Sequence, residues 1–145
     1  MKALIQRVKR ASVTINSELY SQIGYGMLVF LGVEKEDTEE NALKLAEKLG
    51  NLRIFEDENE KMNKSVKDIN GEMLIVSQFT LCGDCKKGTR PSFDKSAPPD
   101  IAEELYLKFI EYIKNQNIKT QTGKFRAMMD VELINDGPVT FLVEK

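Results

Sequence analysis

The sequence predicts an α/β protein with two layers of mixed and antiparallel β-sheet in a barrel-like arrangement, and two helices packed on one side. Three observations support this expectation. Residues 1–33 form four short segments of strand character, and the first ten residues alternate apolar and polar side chains. Two later segments repeat apolar residues at helical spacing. The other apolar runs are short and separated by polar or glycine-containing joints.

The first half of the chain is expected to be mostly strand, within a single domain that covers residues 1–145. Four strands are predicted over 3–10, 11–16, 18–23 and 26–33. A helix is predicted over 37–51, because Asp37 or Thr38 can cap its start and Gly50 can end it. Its apolar stripe is expected to comprise Leu43, Ala46 and either Leu49 or Leu45. A short strand over 52–55 and a polar loop over 56–71 follow.

The second half contains the other helix and a long loop. Segment 72–81, EMLIVSQFTL, is apolar enough to be a strand buried on both faces. Segment 82–99 is a long irregular loop, and such loops are often functional. The second helix is predicted over 100–117, with an apolar stripe at Ile101, Leu105, Phe109, Tyr112 and Ile113. Strands over 118–135 and 138–145 are expected to close the fold.

The composition indicates a cytoplasmic protein. The chain has 41% apolar and 30% charged residues, and no apolar run is long enough for a membrane span. The N-terminal segment lacks the apolar core and cleavage site of a signal peptide, and two cysteines do not make a secreted disulfide framework. The net charge of −2 argues against a strongly basic nucleic-acid binder. A local patch at Lys86, Lys87 and Arg90 can still meet phosphates, although it can also be an ordinary solvated loop.

The chain contains no histidine. This excludes Ser-His-Asp and Cys-His catalysis, histidine general bases and histidine-based zinc sites. The Cys82–Cys85 pair has redox or metal spacing, but a zinc site needs two further ligands and no helix is predicted to follow the pair. A chance occurrence in a loop is favoured. An acid/base pair of Asp84 and Asp94 is conceivable, but nothing in the spacing requires the two to meet.

The motif SQFTL places polar groups where the buried strand ends. Ser77 or Thr80 could act as a nucleophile, or backbone N–H groups there could hold an oxyanion. The simpler alternative is that these groups only satisfy the strand terminus. Because no base is available to activate either hydroxyl, a positioning role is favoured over covalent catalysis.

The motif NDGPVT has two interpretations. Asp136-Gly137 between apolar runs favours a hairpin turn, with Pro138 at the start of the second strand. Alternatively, the Gly137–Pro138 bond is held cis, a state that about 5–6% of X-Pro bonds adopt.

Taken together, the motifs resemble the D-aminoacyl-tRNA deacylases of the bacterial and eukaryotic DTD type. The resemblance runs through ALIQRVKRASVTI, LGVEKED, RIFEDENEKMN, VSQFTL, KKGTRPSF, TGKF and NDGPVTF. The pairing of SQFTL with NDGPVTF is highly specific for that family. It implies a DTD-like fold, no cofactor or metal, and a homodimer that hydrolyses the ester between a D-amino acid and the acceptor end of tRNA.

The resemblance also implies roles for individual residues. Ser77, Gln78, Phe79 and Thr80 would form the floor of the pocket near the ester. Gly137 and Pro138 would reach, as a cis pair, into the partner's pocket and exclude L-amino acids. Arg7 and Met129 would support the site, while Lys86, Lys87 and Arg90 would contact tRNA. In the family, hydrolysis is assisted by the 2′-hydroxyl of the tRNA's terminal adenosine.

Two points remain open at the level of sequence. Arg126, in KFRAMM, stands where the family more commonly has a small residue, so the chain departs from the family pattern at the rim of the pocket, where tRNA contacts are expected. A non-catalytic RNA-binding or dimeric interaction module on the same fold is the alternative function. The aromatic-rich signatures of RNA-binding modules are missing, which counts mildly against it.

Overall fold

The structure, a computed structural model, describes all residues from Met1 to Lys145. Its strands are β1 (Lys2–Ile15), β2 (Glu18–Ile23), β3 (Gly26–Gly32), β4 (Phe55–Glu56), β5 (Met62–Lys64), β6 (Glu72–Ser77), β7 (Lys119–Thr122) and β8 (Asp130–Glu144). Its helices are α1 (Glu39–Asn51) and α2 (Pro99–Lys114), and a short 3₁₀ helix spans Phe79–Cys82. No helix has the length and apolar character needed to cross a membrane.

Six strands form one mixed sheet that curves until its ends approach each other. The order is β2-β1-β3-β6-β7, and β8 pairs with the other edge of β1. β1 is antiparallel to its neighbours, whereas β3, β6 and β7 run parallel. The hydroxyl of Ser21 in β2 donates to the carbonyl oxygen of Thr122 in β7 at 2.8 Å, which links the two ends. The predicted α/β class with a barrel-like sheet and two helices is confirmed.

The central strands β3 and β6 are buried on both faces, to which their successive side chains point alternately. In β6, Met73 and Ile75 face the helices, whereas Leu74 and Val76 face the interior of the curved sheet. The larger core lies between the sheet and α1 and α2. The smaller core, inside the curve, comprises Val8, Ala11, Val13, Ile23, Leu28, Leu74 and Val76.

The N-terminal strand is continuous, so the prediction of separate strands over 3–10 and 11–16 was wrong. Between the pairs Val8↔Asn135 and Arg10↔Ile134, β1 has one extra residue, Lys9. Such a bulge bends the strand and shifts its alternation by one residue. It therefore keeps Val8 and Ala11 on the same interior face, although an uninterrupted strand would place them on opposite faces.

The two helices follow the predicted segments with local differences. Thr38 caps α1, and its N–H donates to the side chain of Asn41 at 2.8 Å. Gly50 does not end α1 but lies within it. A Cβ at position 50 would lie 2.1 Å from Oε1 of Gln116, so a larger residue there would require the Gln116 side chain to move. The predicted stripes were wrong at Leu43 and Ile101, which are exposed.

Three predicted strands are shorter than expected. The segment over 52–55 contributes only Phe55 to β4, and the strand over 72–81 ends at Ser77, before the 3₁₀ helix. The strand over 118–135 is interrupted between β7 and β8. The pattern of apolar and polar side chains does not mark these ends, because apolar residues such as Leu81 and Met129 also occur outside the paired segments.

The expected hairpin at NDGPVT is absent, because β8 runs through this motif and stays paired with β1. The register passes from Val8↔Asn135 to Gln6↔Thr140, so residues 136–139 oppose Arg7 alone. We call this segment the 136–139 bulge. Within it, the Gly137–Pro138 peptide bond is cis.

Candidate active site

A cavity of about 860 Å³ opens where β6 ends. Its residues come from the ends of β3 and β6, the 3₁₀ helix, the loop before α2, the start of α2, the segment before β8 and the start of β8: Val33, Val76, Ser77, Gln78, Phe79, Thr80, Phe93, Ser96, Ala97, Pro99, Ala102, Phe125, Arg126, Ala127, Met128, Met129 and Val131. The cavity thus contains the whole predicted floor together with Met129. The contributions of Phe93 and Phe125 were not predicted, since they lie far from the motif in sequence.

The floor is formed by backbone that leaves the sheet. The N–H of Gln78 donates to the carbonyl oxygen of Leu31 at 2.8 Å, which holds it beside β3. The chain then turns into the 3₁₀ helix, and the N–H of Leu81 donates to the carbonyl oxygen of Gln78 at 3.2 Å. Phe79 is consequently exposed and packs against Phe93 with ring centroids 5.1 Å apart. The Gln78 amide donates to the hydroxyl of Thr80.

The wall opposite the floor is anchored to β6. The buried hydroxyl of Tyr106 in α2 and the N–H of Gly123 both donate to the carbonyl oxygen of Ile75, each at 2.9 Å. Burial raises the pKa of Tyr106, so its hydroxyl remains a donor. A Cβ at position 123 would lie 2.8 Å from the sulfur of Met129, so Gly123 leaves the space in which Met129 lines the cavity.

The chemistry of the cavity is that of a shaped, mostly apolar site with few polar groups. Its lining offers the hydroxyls of Ser77 and Thr80, the Gln78 amide and the Ser96 hydroxyl, but no carboxylate or lysine. The only charged side chain in the lining is that of Arg126. No side chain there can act as a general base toward a hydroxyl. The site can orient a bound group and exclude water from one side of it.

A second cluster holds the 136–139 bulge. Arg7 is only 3% exposed, and its guanidinium donates to the carbonyl oxygen of Ile54 at 2.8 Å. Its Nε lies 2.9 Å from Oδ2 of Asp136, an ion pair without the alignment of a good hydrogen bond. The Asn135 amide donates to the carbonyl oxygens of Arg7 at 3.0 Å and Val139 at 3.1 Å. The bulge is therefore fixed at both of its ends.

Tyr25 adds a further contact to this cluster, since its hydroxyl donates to Oδ2 of Asp136 at 3.2 Å. Tyr25 is 43% exposed, but the partial desolvation of its hydroxyl still raises its pKa, so it keeps the proton that it donates. Gly137 and Pro138 themselves are exposed, and neither lines the cavity of its own chain. The structure thus places Arg7 with the 136–139 bulge and places Met129 with the floor, as two separate groups.

The loop after the floor carries the predicted cationic patch. Lys86, Lys87 and Arg90 are exposed and line a shallow cavity of about 360 Å³. Asp84 and Asp94 line the same cavity, so the possible carboxylate pair is surrounded by cations. The N–H groups of Asp84 and Ser92 each donate to the other residue's carbonyl oxygen, which closes the loop that presents these side chains.

The two cysteines lie in different environments. Both are free; Cys82 is buried and Cys85 is exposed. The thiol of Cys82 donates to the carbonyl oxygen of Val33, and burial raises its pKa. A thiol of this kind is a poor nucleophile. No group of three or more cysteine or acidic residues is arranged to hold a metal ion.

Comparison with known proteins identifies the family. Residues 4–144 match the family model described as D-Tyr-tRNA(Tyr) deacylase. The chain belongs to the D-Tyr-tRNA(Tyr) deacylase family. It is 58% identical over 144 residues to a D-aminoacyl-tRNA deacylase of Thermosipho africanus, covering 99% of this chain and 97% of that one. It is 55% identical to the D-aminoacyl-tRNA deacylase of Bacillus cytotoxicus, covering 99% of each chain. The family is one of hydrolases, so the chain is an enzyme.

Two solved structures share the fold of this chain. A structure of a c-Myc DNA Unwinding Element Binding Protein superposes with a TM-score of 0.94 at 44% identity, covering 100% of this chain and 99% of that one. A structure of a probable eukaryotic D-amino acid tRNA deacylase superposes with a TM-score of 0.87 at 18% identity, covering 99% and 98%. At this low identity, the second superposition shows that the two proteins share a fold.

Proposed function

We propose that this deacylase-family protein hydrolyses the ester bond of D-aminoacyl-tRNA to free D-amino acid and tRNA, and rejects L-aminoacyl-tRNA. D-Tyr-tRNA is one substrate among several D-aminoacyl-tRNAs. Glycyl-tRNA is a further substrate, because glycine has no side chain to be rejected. The observation that carries the proposal is the cavity at the end of β6, which joins Ser77 to Thr80 in a chain of this family.

In the proposed mechanism the protein orients the ester and the RNA assists its hydrolysis. The lining of the cavity provides hydroxyls without a base, so neither Ser77 nor Thr80 is set up to attack the ester. The 2′-hydroxyl of the terminal adenosine lies next to the ester and promotes attack by water. Backbone N–H groups and the Gln78 amide at the floor stabilise the developing negative charge.

Selection against L-amino acids is proposed to come from the partner subunit in a homodimer. The 136–139 bulge is firmly held, yet Gly137 and Pro138 are exposed and lie outside their own cavity. The outer edge of β8 is unpaired, and Phe141 and Leu142 are exposed on that strand. A second copy covering this surface would bring the backbone of Gly137 and Pro138 to the partner's cavity. Rigid main-chain atoms there would exclude one enantiomer by steric contact.

Lys86, Lys87 and Arg90 are proposed to contact the backbone of the tRNA acceptor end. They are exposed, and the loop that carries them also supplies Phe93 to the cavity. Contacts between such cations and phosphates release counterions, so the KM for tRNA substrates should rise with salt concentration.

The decisive test is hydrolysis of matched D- and L-Tyr-tRNA by the purified protein. We expect rapid release of D-tyrosine, L-Tyr-tRNA left intact, and full activity in the presence of EDTA. Equal rates on the two enantiomers would refute selection by chirality. Binding of both RNAs without any hydrolysis would instead favour the non-catalytic RNA-binding module.

The role of the RNA is tested with Thr80→Ala and a modified substrate. We expect Thr80→Ala to keep substantial activity, because its hydroxyl is not the attacking group. D-Tyr-tRNA that ends in 2′-deoxyadenosine should be cleaved about a hundredfold more slowly, since general acid–base assistance is worth about 10²–10⁴. Ser77→Ala removes the other hydroxyl of the floor, and we expect it to keep substantial activity for the same reason. Mass spectrometry that traps an acyl group on Thr80 or Ser77 would establish covalent catalysis instead.

A further inference from the structure

The segment between β7 and β8 contains a tight turn with an unexpected residue. The N–H of Ala127 donates to the carbonyl oxygen of Lys124 at 3.2 Å, which closes a four-residue turn. Arg126, the third residue of this turn, has φ of 61°. Glycine or asparagine is strongly preferred at such a position, because a Cβ is unfavourable in the left-handed region. The chain thus keeps an arginine where the backbone favours glycine.

No contact within the chain offsets the unfavourable backbone conformation of Arg126. Its side chain is exposed, and its guanidinium takes part in no salt bridge. It is nevertheless the only charged residue that lines the cavity of about 860 Å³. Residues held in a disfavoured backbone conformation without internal contacts tend to occur at ligand sites. The unpaired cation is therefore positioned for a ligand that brings negative charge into the cavity.

We propose that Arg126 is a substrate-positioning residue that binds the phosphate on the 5′ side of the tRNA's terminal adenosine. This inference rests on the proposed function, because it assumes that the terminal aminoacyl-adenosine occupies the cavity. When the ester lies at the floor, beside Ser77 and Gln78, the 5′-phosphate lies across the ribose from it, toward the cavity mouth. An exposed arginine suits that position, and its planar guanidinium can pair with two phosphate oxygens.

The phosphate is favoured over an acidic amino-acid side chain as the anion. A carboxylate of D-aspartate or D-glutamate would extend from the reacting centre, beside Ser77 and Gln78, which are half-buried, whereas Arg126 is exposed. The phosphate is also present in every substrate, whichever amino acid is attached. Arg126 should therefore affect all aminoacyl-tRNAs to the same degree.

The test uses two non-hydrolysable ligands that differ only in the phosphate: 3′-deoxy-3′-(D-tyrosylamino)adenosine and its 5′-monophosphate. The proteins are wild type, Arg126→Asn, Arg126→Lys and Lys124→Ala. Asparagine tolerates the left-handed backbone without charge, and lysine keeps the charge. Lys124 is an exposed cation of the same turn that does not line the cavity. Affinities are measured by calorimetry, and thermal unfolding checks that each variant is folded.

We expect wild type to bind the phosphorylated ligand about tenfold more tightly than the unphosphorylated one, as for one charge-assisted contact. Arg126→Asn should remove this preference, Arg126→Lys should keep part of it, and Lys124→Ala should keep it all. With D-Tyr-tRNA, Arg126→Asn should raise KM about tenfold with little change in kcat.

An unchanged preference for the phosphorylated ligand in folded Arg126→Asn would overturn the proposal. So would an effect on D-Asp-tRNA but not D-Tyr-tRNA, which would assign Arg126 to the amino-acid side chain. If wild type failed to cleave D-Tyr-tRNA, the proposed function would fall separately.

Discussion

Changing Gly137 to alanine is expected to lower deacylation of D-Tyr-tRNA about a hundredfold while the protein keeps its stability. Inside the chain an added methyl group meets only Oδ1 of Asn135, at 3.1 Å, and the backbone of Gly137 is not in the left-handed region. The free energy of unfolding should therefore change by less than about 1 kcal/mol. The exposed side of Gly137 is where a partner's substrate is proposed to lie, and misplacement by about 1 Å can cost 10²-fold in rate.

Urea denaturation and single-turnover hydrolysis together check this expectation. Gly88→Ala is a poor control, because Gly88 has φ of 69° and its change would strain the backbone. Gly24→Ala is better, since a methyl group there makes only an ordinary contact at 3.6 Å. Full activity of Gly137→Ala would show that this residue does not approach the substrate.

Mixing inactive subunits tests whether Gly137 acts across the dimer. A Gly137→Ala subunit retains its floor, and a Gln78→Ala subunit retains its Gly137. A mixed dimer would have one site with both features intact, and random mixing would restore about a quarter of the wild-type activity. No recovery on mixing, in preparations shown to exchange subunits, would contradict action in trans.

Arg7→Met is expected to lower the free energy of unfolding by about 3 kcal/mol and to abolish deacylation. The guanidinium is buried and holds both the carbonyl oxygen of Ile54 and the carboxylate of Asp136. Removing one partner of a buried ion pair costs about 3–5 kcal/mol, because the other is left without compensation. Asp136 is partly accessible to water, which places the expected loss at the lower end of that range.

Arg10→Met supplies the matched control for this prediction. Arg10 lies on the same strand and pairs with Glu132 at 2.5 Å, but both side chains are more than half exposed. Its replacement should cost less than about 1 kcal/mol. Equal losses in the two variants, measured by urea denaturation, would show that Arg7 has no special role in holding the 136–139 bulge.

The sequence predicted the fold class well because periodicity reports which faces of an element are buried. It located α1 and α2 to within a few residues, although it assigned Pro99, the first residue of α2, to the preceding loop. The sequence could not locate the features that depend on how strands pair with one another. Lys9 looks like any other residue of an alternating strand, yet its bulge merges two predicted strands into one. The 136–139 bulge looks locally like a hairpin turn, because its stability depends on β1 and Arg7.

The residues of the candidate site could likewise be predicted only in part. Polarity at the end of a buried strand identified Ser77 and Thr80 as candidates, and family resemblance connected them with Gly137. No local pattern could bring Phe93 or Phe125 to the same cavity, since their approach depends on how the chain crosses the sheet. The left-handed backbone conformation of Arg126 could not be predicted either, because no residue in KFRAMM indicates such a conformation.

The pairing of β1 with β8 has a consequence for how the protein is made. Lys2 pairs with Glu144 and Thr14 with Asp130, so partner residues are more than one hundred positions apart in sequence. The ribosome synthesises β1 first, so the edge of β1 that pairs with β8 stays unpaired until β8 has been synthesised. Sheets closed by such distant segments form slowly, and exposed strand edges promote aggregation in the meantime. The bulge that carries Gly137 takes shape only when these last residues are in place, so the proposed selection against L-amino acids depends on the segment of the chain that is synthesised last.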